Sequence, residues 1–281
     1  MTKNTIYLAF CSLLLISCEE ENLNNIAANQ FVVEAFLYAG EPVNDIKVKS
    51  IYGLSEEEDL SIPIDDAQLT LTKNNRQYPL VSSGADGYYH YPGNDLLVET
   101  NDIFTLEVVH NGITAKAQTT VPTPTIGLNL SQDTIKVPQL PFSAGRDSIA
   151  SVIGSFMRNS RIDATWQNPN NDLYFMVVEA QSALNDPIFP GQVLESLSRF
   201  KFVSEPTDDT SLTFLGGSLV SFGAYEVKVY HINREYAALY ENRTQDSRDL
   251  NQPPSNVENA LGVFSAFNSQ DESFVLVRDT N

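Results

Sequence analysis

The sequence predicts a mostly β chain built as two β-sandwich modules with two inserted helices. Three observations predict it. Short runs of apolar residues, alternating with polar ones and separated by turn signals, recur along most of the 281 residues. A Pro122-Thr123-Pro124 break divides them into two sets, and two segments, near 147–158 and 233–248, change to helical spacing. Short strands punctuated by Gly, Pro, Asn and Asp turns are the pattern of sandwiches.

The first set reads as strands over Phe31–Tyr38, Asp45–Tyr52, Gln68–Thr72, Gln77–Ser82, Gly87–Tyr91, Ile103–His110 and Ile113–Val121. Lys73-Asn74-Asn75-Arg76 and His110-Asn111-Gly112 are hairpin connections, the second with the Asn-Gly pair that accepts the positive φ of a tight turn. Leu69 and Leu71 alternate with polar neighbours, which gives one buried face. In Gly87-Tyr88-Tyr89-His90-Tyr91 the same alternation turns Tyr89 and Tyr91 inward and Tyr88 and His90 outward. Tyrosine-rich strands also serve as platforms for sugars or peptides. Two prolines within three residues deny a ladder two donors, so the module boundary is placed there: 30–122 as the N-terminal sandwich and 123–281 as the C-terminal one.

The second set reads as Thr125–Leu130, Arg161–Trp166, Leu173–Gln181, Arg199–Val203, Leu212–Leu215, Tyr225–Ile232, Leu261–Phe267 and Ser273–Arg278. Trp166, the single tryptophan, precedes an Asn168-Pro169-Asn170-Asn171 turn and the apolar Leu173–Val178 run. This is similar to the second and third strands of an Ig-like, fibronectin III-like sandwich with the tryptophan in its core. Between Asp147 and Arg158, the residues Ile149, Val152, Ile153, Phe156 and Met157 fall at i, i+3, i+4, i+7 and i+8, one apolar helical face with Asp147 or Ser148 as cap. The second helix runs from an Asn233 cap to about Arg248, with Glu235 in its first turn and Tyr236, Leu239 and Tyr240 on one side. Packing on its own sandwich is the first expectation for each; the Ile149–Met157 face is also the candidate partner-binding surface.

The amino terminus sets the compartment. Lys3 precedes an apolar run from Ile6 to Ile16 that ends in Leu15-Ile16-Ser17-Cys18, which reads as a signal peptide over 1–17. The run is short of the roughly 20 apolar residues of a spanning helix, and Glu19-Glu20-Glu21 follow at once. Leu-Ile-Ser-Cys resembles the bacterial lipobox, so Cys18 is expected to carry a diacylglycerol and an amide-linked acyl chain, a covalent lipid of the palmitate type, and to become the first mature residue. At about 0.8 kcal/mol per buried methylene, two or three chains hold a domain on a bilayer. Of the 2 cysteines, Cys11 leaves with the signal, so no disulfide forms within the mature chain. Residues 18–29 read as a flexible acidic tether with a span of about 20 Å.

Formal net charge is −19. That sign opposes the phosphate-neutralising contacts of a nucleic-acid protein and the basic patch that docks on anionic headgroups. His90, His110 and His231 lack metal-ligand spacing, and no Gly-x-Ser-x-Gly occurs; Gly216-Gly217-Ser218 reads as a turn. Carboxylates cluster in loops, as in Glu56-Glu57-Glu58-Asp59, Asp65-Asp66 and Asp208-Asp209. Calcium is the best ionic candidate for such oxygens, but EF-hand spacing is absent. The sequence therefore predicts no catalytic residue, no metal site and no cofactor beyond the lipid on Cys18.

Near the C-terminus stands Asn251-Gln252-Pro253-Pro254-Ser255-Asn256-Val257-Glu258-Asn259-Ala260-Leu261-Gly262-Val263-Phe264. With the lipobox, the Phe31-Val32-Val33-Glu34-Ala35 opening strand and the Glu241–Arg248 helix end, this segment resembles a Bacteroidota family of outer-membrane lipoproteins, the domain of unknown function 4249. The resemblance covers nearly the whole mature chain and is most specific at Pro-Pro-Ser-Asn-x-x-x-x-x-Gly-x-Phe. It implies outer-membrane location beside TonB-dependent receptors. Glu19, Glu20 and Glu21 after Cys18 resemble the acidic signal that sends such lipoproteins to the cell exterior. The insertion around Pro138–Ser160 is longer than the family pattern. The expected function is an accessory or scaffold subunit of an outer-membrane barrel complex, a TonB-dependent transporter first; a subunit of an assembly or secretion machine, or a free-standing adhesin or glycan-binding lipoprotein, is the alternative.

Overall fold

The computed structural model describes residues 31–50, 62–138, 151–152, 154–156, 160–181, 186–188, 200–241 and 254–279. Among the described residues fifteen strands follow one another along the chain. In the first module these are β1 (Phe31–Tyr38), β2 (Asp45–Ser50), β3 (Gln68–Lys73), β4 (Arg76–Ser82), β5 (Tyr88–His90), β6 (Ile103–His110) and β7 (Ile113–Thr120). The second contains β8 (Ile126–Leu130), β9 (Thr134–Val137), β10 (Arg161–Gln167), β11 (Leu173–Ala180), β12 (Lys201–Val203), β13 (Ser211–Leu215) and β14 (Gly223–Ile232). The last strand, β15 (Leu261–Arg278), belongs to both.

Alternation builds the first core. In β1 the residues Phe31, Val33, Ala35 and Leu37 are buried while their neighbours are half-exposed, and Ile46 and Val48 of β2 continue the same face. Opposite them stand Leu69 and Leu71 of β3 and Phe104, Leu106 and Val108 of β6. The strand order is β1-β2-β5-β4-β3-β6-β7. β4 passes between layers, pairing with β3 over Arg76–Leu80 and with β5 at Val81 and Ser82. The β3–β4 turn carries Asn74 at φ 51° and Asn75 at φ 63°, and the β6–β7 turn carries Asn111 at φ 48° and Gly112 at φ 79°, the consecutive positive angles of hairpin turns. Tyr89 is buried and donates its hydroxyl to the Ile64 carbonyl at 2.9 Å, while Tyr88 and His90 lie on the outer face.

The second module packs a three-stranded sheet, β13-β10-β8, against β12-β11-β14-β15, with β9 laid parallel to the end of β15. Trp166 sits between the layers with Tyr174, Met176, Val178, Phe214 and Phe274. β9 is absent from the expected strands: four residues, Thr-Ile-Lys-Val, are too few for alternation to be read, although Ile135 and Val137 both enter the core.

Leu261–Phe267 and Ser273–Arg278 were expected as separate strands; they are one strand of 18 residues. At about 3.3 Å per residue it spans about 60 Å. The intervening Asn268–Glu272 is polar and reads as a turn, yet its backbone pairs with β14 from His231↔Asn268 to Val227↔Glu272. Earlier in the strand, β15 runs parallel to β1 from Val32↔Leu261 to Tyr38↔Phe267. Phe264 and Ala266 thus complete the first core, so 257–267 serve the N-terminal module although they follow the 123 boundary in sequence.

The two helical segments differ from their expected form. In the insertion, 151–152 and 154–156 are helical. The other helix is Arg234–Glu241, and residues 242–248 of its expected extent lie outside the described residues. Asn233 stands at the start of the helix, where its carbonyl accepts from the Tyr236 and Ala237 amides, and its side-chain amide donates to Thr119 Oγ1 at 3.1 Å and to the Thr120 carbonyl at 2.8 Å, tying the helix start to the edge of β7. Among the described residues no helix is long and apolar enough to cross a membrane.

Candidate functional site

The insertion of β15 between the modules depends on four residues, Asn256, Glu258, Asn259 and Gly262. The Asn256 side chain brackets Phe264: its Nδ2 donates to the Phe264 carbonyl at 2.8 Å, and the Phe264 amide donates to its Oδ1 at 2.9 Å. The side chain thereby stands in for a strand on the edge that β1 does not cover. Gly262 has φ +120°, and a Cβ there would lie 1.9 Å from the Val33 carbonyl oxygen, so β15 reaches β1 only through a glycine. Glu258 exchanges backbone bonds with Lys116, and Asn259 donates to the Thr114 carbonyl at 3.1 Å, which ties the turn to the β7 edge.

A polar clamp fixes the junction. Asn268 Nδ2 donates to the Pro122 carbonyl at 2.9 Å and to Thr100 Oγ1 at 3.0 Å, holding the proline linker against β15. Thr119 donates to Glu235 Oε1 at 2.9 Å, and Thr125 donates to the Val229 carbonyl at 2.6 Å. His231 is buried, stacks on Tyr174 at 4.9 Å and places Nδ1 2.7 Å from the Thr123 carbonyl oxygen. Each of these bonds ties a residue beside or within the linker to β14, β15 or the helix.

On the opposite face of the sheet an aromatic cluster crosses the same junction. Phe36 and Tyr38 of β1 meet Phe267 of β15, Tyr230 of β14 and Phe175 of β11, and Tyr236 of the Arg234–Glu241 helix packs over them, 4.9 Å from Phe267. Burial raises the Tyr38 and Tyr230 hydroxyls, the latter to about 12, so both stay protonated donors. Tyr38 donates to Asp45 Oδ2 at 3.2 Å. Burial also raises the Asp45 carboxyl above the usual carboxylate range, against the lowering influence of Tyr38 and Lys201.

Several titratable groups elsewhere among the described residues stand in ion pairs or beside turns. Among the described residues no three His, Cys, Asp or Glu side chains come together as metal ligands. His110 Nδ1 lies 3.3 Å from Asp66 Oδ1, and His90 Nδ1 lies 3.2 Å from Ser83 Oγ on the solvent face. Hydrolysis by a serine needs its histidine held by a third group inside an enclosed site, an arrangement quite different from an exposed strand end. Asp186 and Arg278 pair bidentately, with oxygen–nitrogen distances of 2.8 and 2.5 Å, and the guanidinium lies 4.2 Å from the Phe222 ring centre.

Of the residues expected to act, Phe156 is 6 % exposed and belongs to the second core with Ile135 and Ile162, while Val152 is half-buried. At Phe156 the insertion turns inward, and that ring completes the second core. Ile149, Ile153 and Met157 lie outside the described residues, as do Cys18, Glu19, Glu20 and Glu21. A shallow cleft of about 210 Å³ borders Phe156, Ser160, Gln132 and Lys136. The junction clamp went unread in the sequence because its members, Thr100, Thr119, Asn233 and Asn268, are spread along the chain; the signal available was the Asn256–Gly262–Phe264 spacing.

The family model of a domain of unknown function, DUF4249, matches residues 18–273. The chain belongs to the DUF4249 family. In this DUF4249 chain the segment from Asn256 to Phe264 leads β15 onto β1. No curated protein matches the chain. Among solved structures it is similar to a two-domain fibronectin type III segment of chicken tenascin, at 10 % identity over 86 % of this chain and 99 % of that one, with a TM-score of 0.24. It is also similar to a multidomain segment of titin, at 10 % identity over 88 % of this chain and 66 % of that one, with a TM-score of 0.22. The fold of this DUF4249 chain is mostly β, with sheets packed as sandwiches.

Proposed function

We propose that the protein is a non-catalytic, surface-exposed lipoprotein of the outer membrane that acts as an accessory or scaffold subunit of a β-barrel complex, with a TonB-dependent transporter as the partner class. The observation that carries the reading is polarity. The first described strand begins at Phe31, beside Leu261 and the His110–Gly112 turn. Phe156 and Ser160 of the insertion, Asp186–Ile188, the 216–222 turn and Arg278 gather at the other end of β15. A lipid at Cys18 would hold one pole at the bilayer and present the other about 60 Å away. The strongly acidic composition and the ion-paired surface carboxylates suit a body that works by contact, without substrate turnover.

The test is affinity purification of the tagged protein from mildly solubilised membranes, followed by mass spectrometry, with Cys18→Ala as the unanchored control. Stoichiometric recovery of a TonB-dependent barrel that depends on Cys18 is the expected result. Recovery of an assembly or secretion barrel would move the protein to that machine, and background alone would leave a solitary adhesin or glycan binder.

A further inference from the structure

We propose that the β1–β15 ladder is a load-bearing clamp, which carries tension between the N-terminal tether and the distal pole in shear. The argument starts from strand direction. β1 and β15 run parallel through 7 register pairs, Val32↔Leu261 to Tyr38↔Phe267. The tether joins β1 at its Phe31 end, and β15 continues as one covalent strand through the second module to Arg278 at the opposite pole. Pulling the tether one way and the far end of β15 the other therefore draws the two strands past each other along their axes. In that geometry the evenly spaced, slanted bonds of a parallel ladder share the load, whereas strands pulled from the same end open one pair at a time.

The surroundings of the ladder fit the same task. Phe31, Val33, Ala35 and Leu37 are all buried, so sliding by one residue would carry every core side chain of β1 to the wrong face. Gly262 lets the Val33 carbonyl approach closer than any side chain would permit, and Asn256 holds the far edge of β15 at Phe264. Beyond the junction β14 flanks β15 through 10 further register pairs, and a second parallel partner, β9, joins at Val275–Arg278. The covalent strand thus passes tension through the second module, and the ladder to β1 is the link that must hold. That the cell pulls in this direction rests on the lipid anchor at Cys18; the clamp itself is independent of the lipid.

Single-molecule force spectroscopy on the full mature chain, expressed without lipid, tests it. Cys18 supplies one handle, and the second is placed by Asn281→Cys for the shear geometry or Glu258→Cys for the peeling geometry. A severalfold higher first rupture force in the shear geometry is expected, with Asn256→Ala lowering the shear force and leaving the peeling force nearly unchanged. Equal forces in the two geometries, or a first rupture that releases the second module while β15 stays on β1, would overturn the proposal.

Discussion

At Gly262 a backbone angle of +120° and the Val33 carbonyl meet in a place where no side chain fits. Gly262→Ala is therefore expected to destabilise the fold by about 3 kcal/mol or more, combining backbone strain with displacement of β1. Asn256→Ala leaves the amide and carbonyl of buried Phe264 without their partners on that edge, a loss of about 1–3 kcal/mol by denaturant midpoint. Asp45 gives the opposite sign. Burial raises its carboxyl above the ordinary 3.8, so the folded protein binds that proton more tightly than the unfolded chain does. Its contribution is full below pH 3.8 and falls as pH rises through the folded value, where the charge becomes a cost. Asp45→Asn keeps an acceptor for Tyr38 and is expected to stabilise at pH 7 by less than about 1 kcal/mol, discounted for solvent screening, with the gap closing toward pH 3. A gap that widens on acidification would contradict the assignment.

Among the elements, β15 decides how the modules relate. Its first part completes one core and its last part the other, with Phe264 and Phe274 fully buried in each. Phe264→Ala is expected to cost about 3–5 kcal/mol, and because the strand is shared, hydrogen exchange should quicken in β14 and β11 as well as in β1 and β2. Exchange that quickens in the first module alone would show the strand to be two independent pieces. The alternation of Leu69 and Leu71, the Asn-Gly turn and the buried Trp166 were legible because each depends on neighbours in sequence. The continuity of β15 was not legible, since its partners lie in β1, β9 and β14 and its middle is polar. Phe156 shows the same limit in reverse: helical spacing identified an apolar face but left open whether the protein's own core or a partner would cover it, and the second core covers Phe156.

For the whole molecule the consequence is one folding unit with two poles. The linker 122–125 is held by Asn268, His231 and the Val229 carbonyl, and the aromatic cluster spans the other face, so neither module ends where the other begins. Sequence reading separated two sandwiches at Pro122-Thr123-Pro124 and correctly identified their class, but the shared strand turns that hinge-like segment into a fixed seam. A single folding unit would let the anchored subunit proposed above hold its far pole in register with a partner. Differential scanning calorimetry of the mature chain tests this most directly. The account predicts one transition whose calorimetric and van't Hoff enthalpies agree; two separable transitions, one per sandwich, would contradict it.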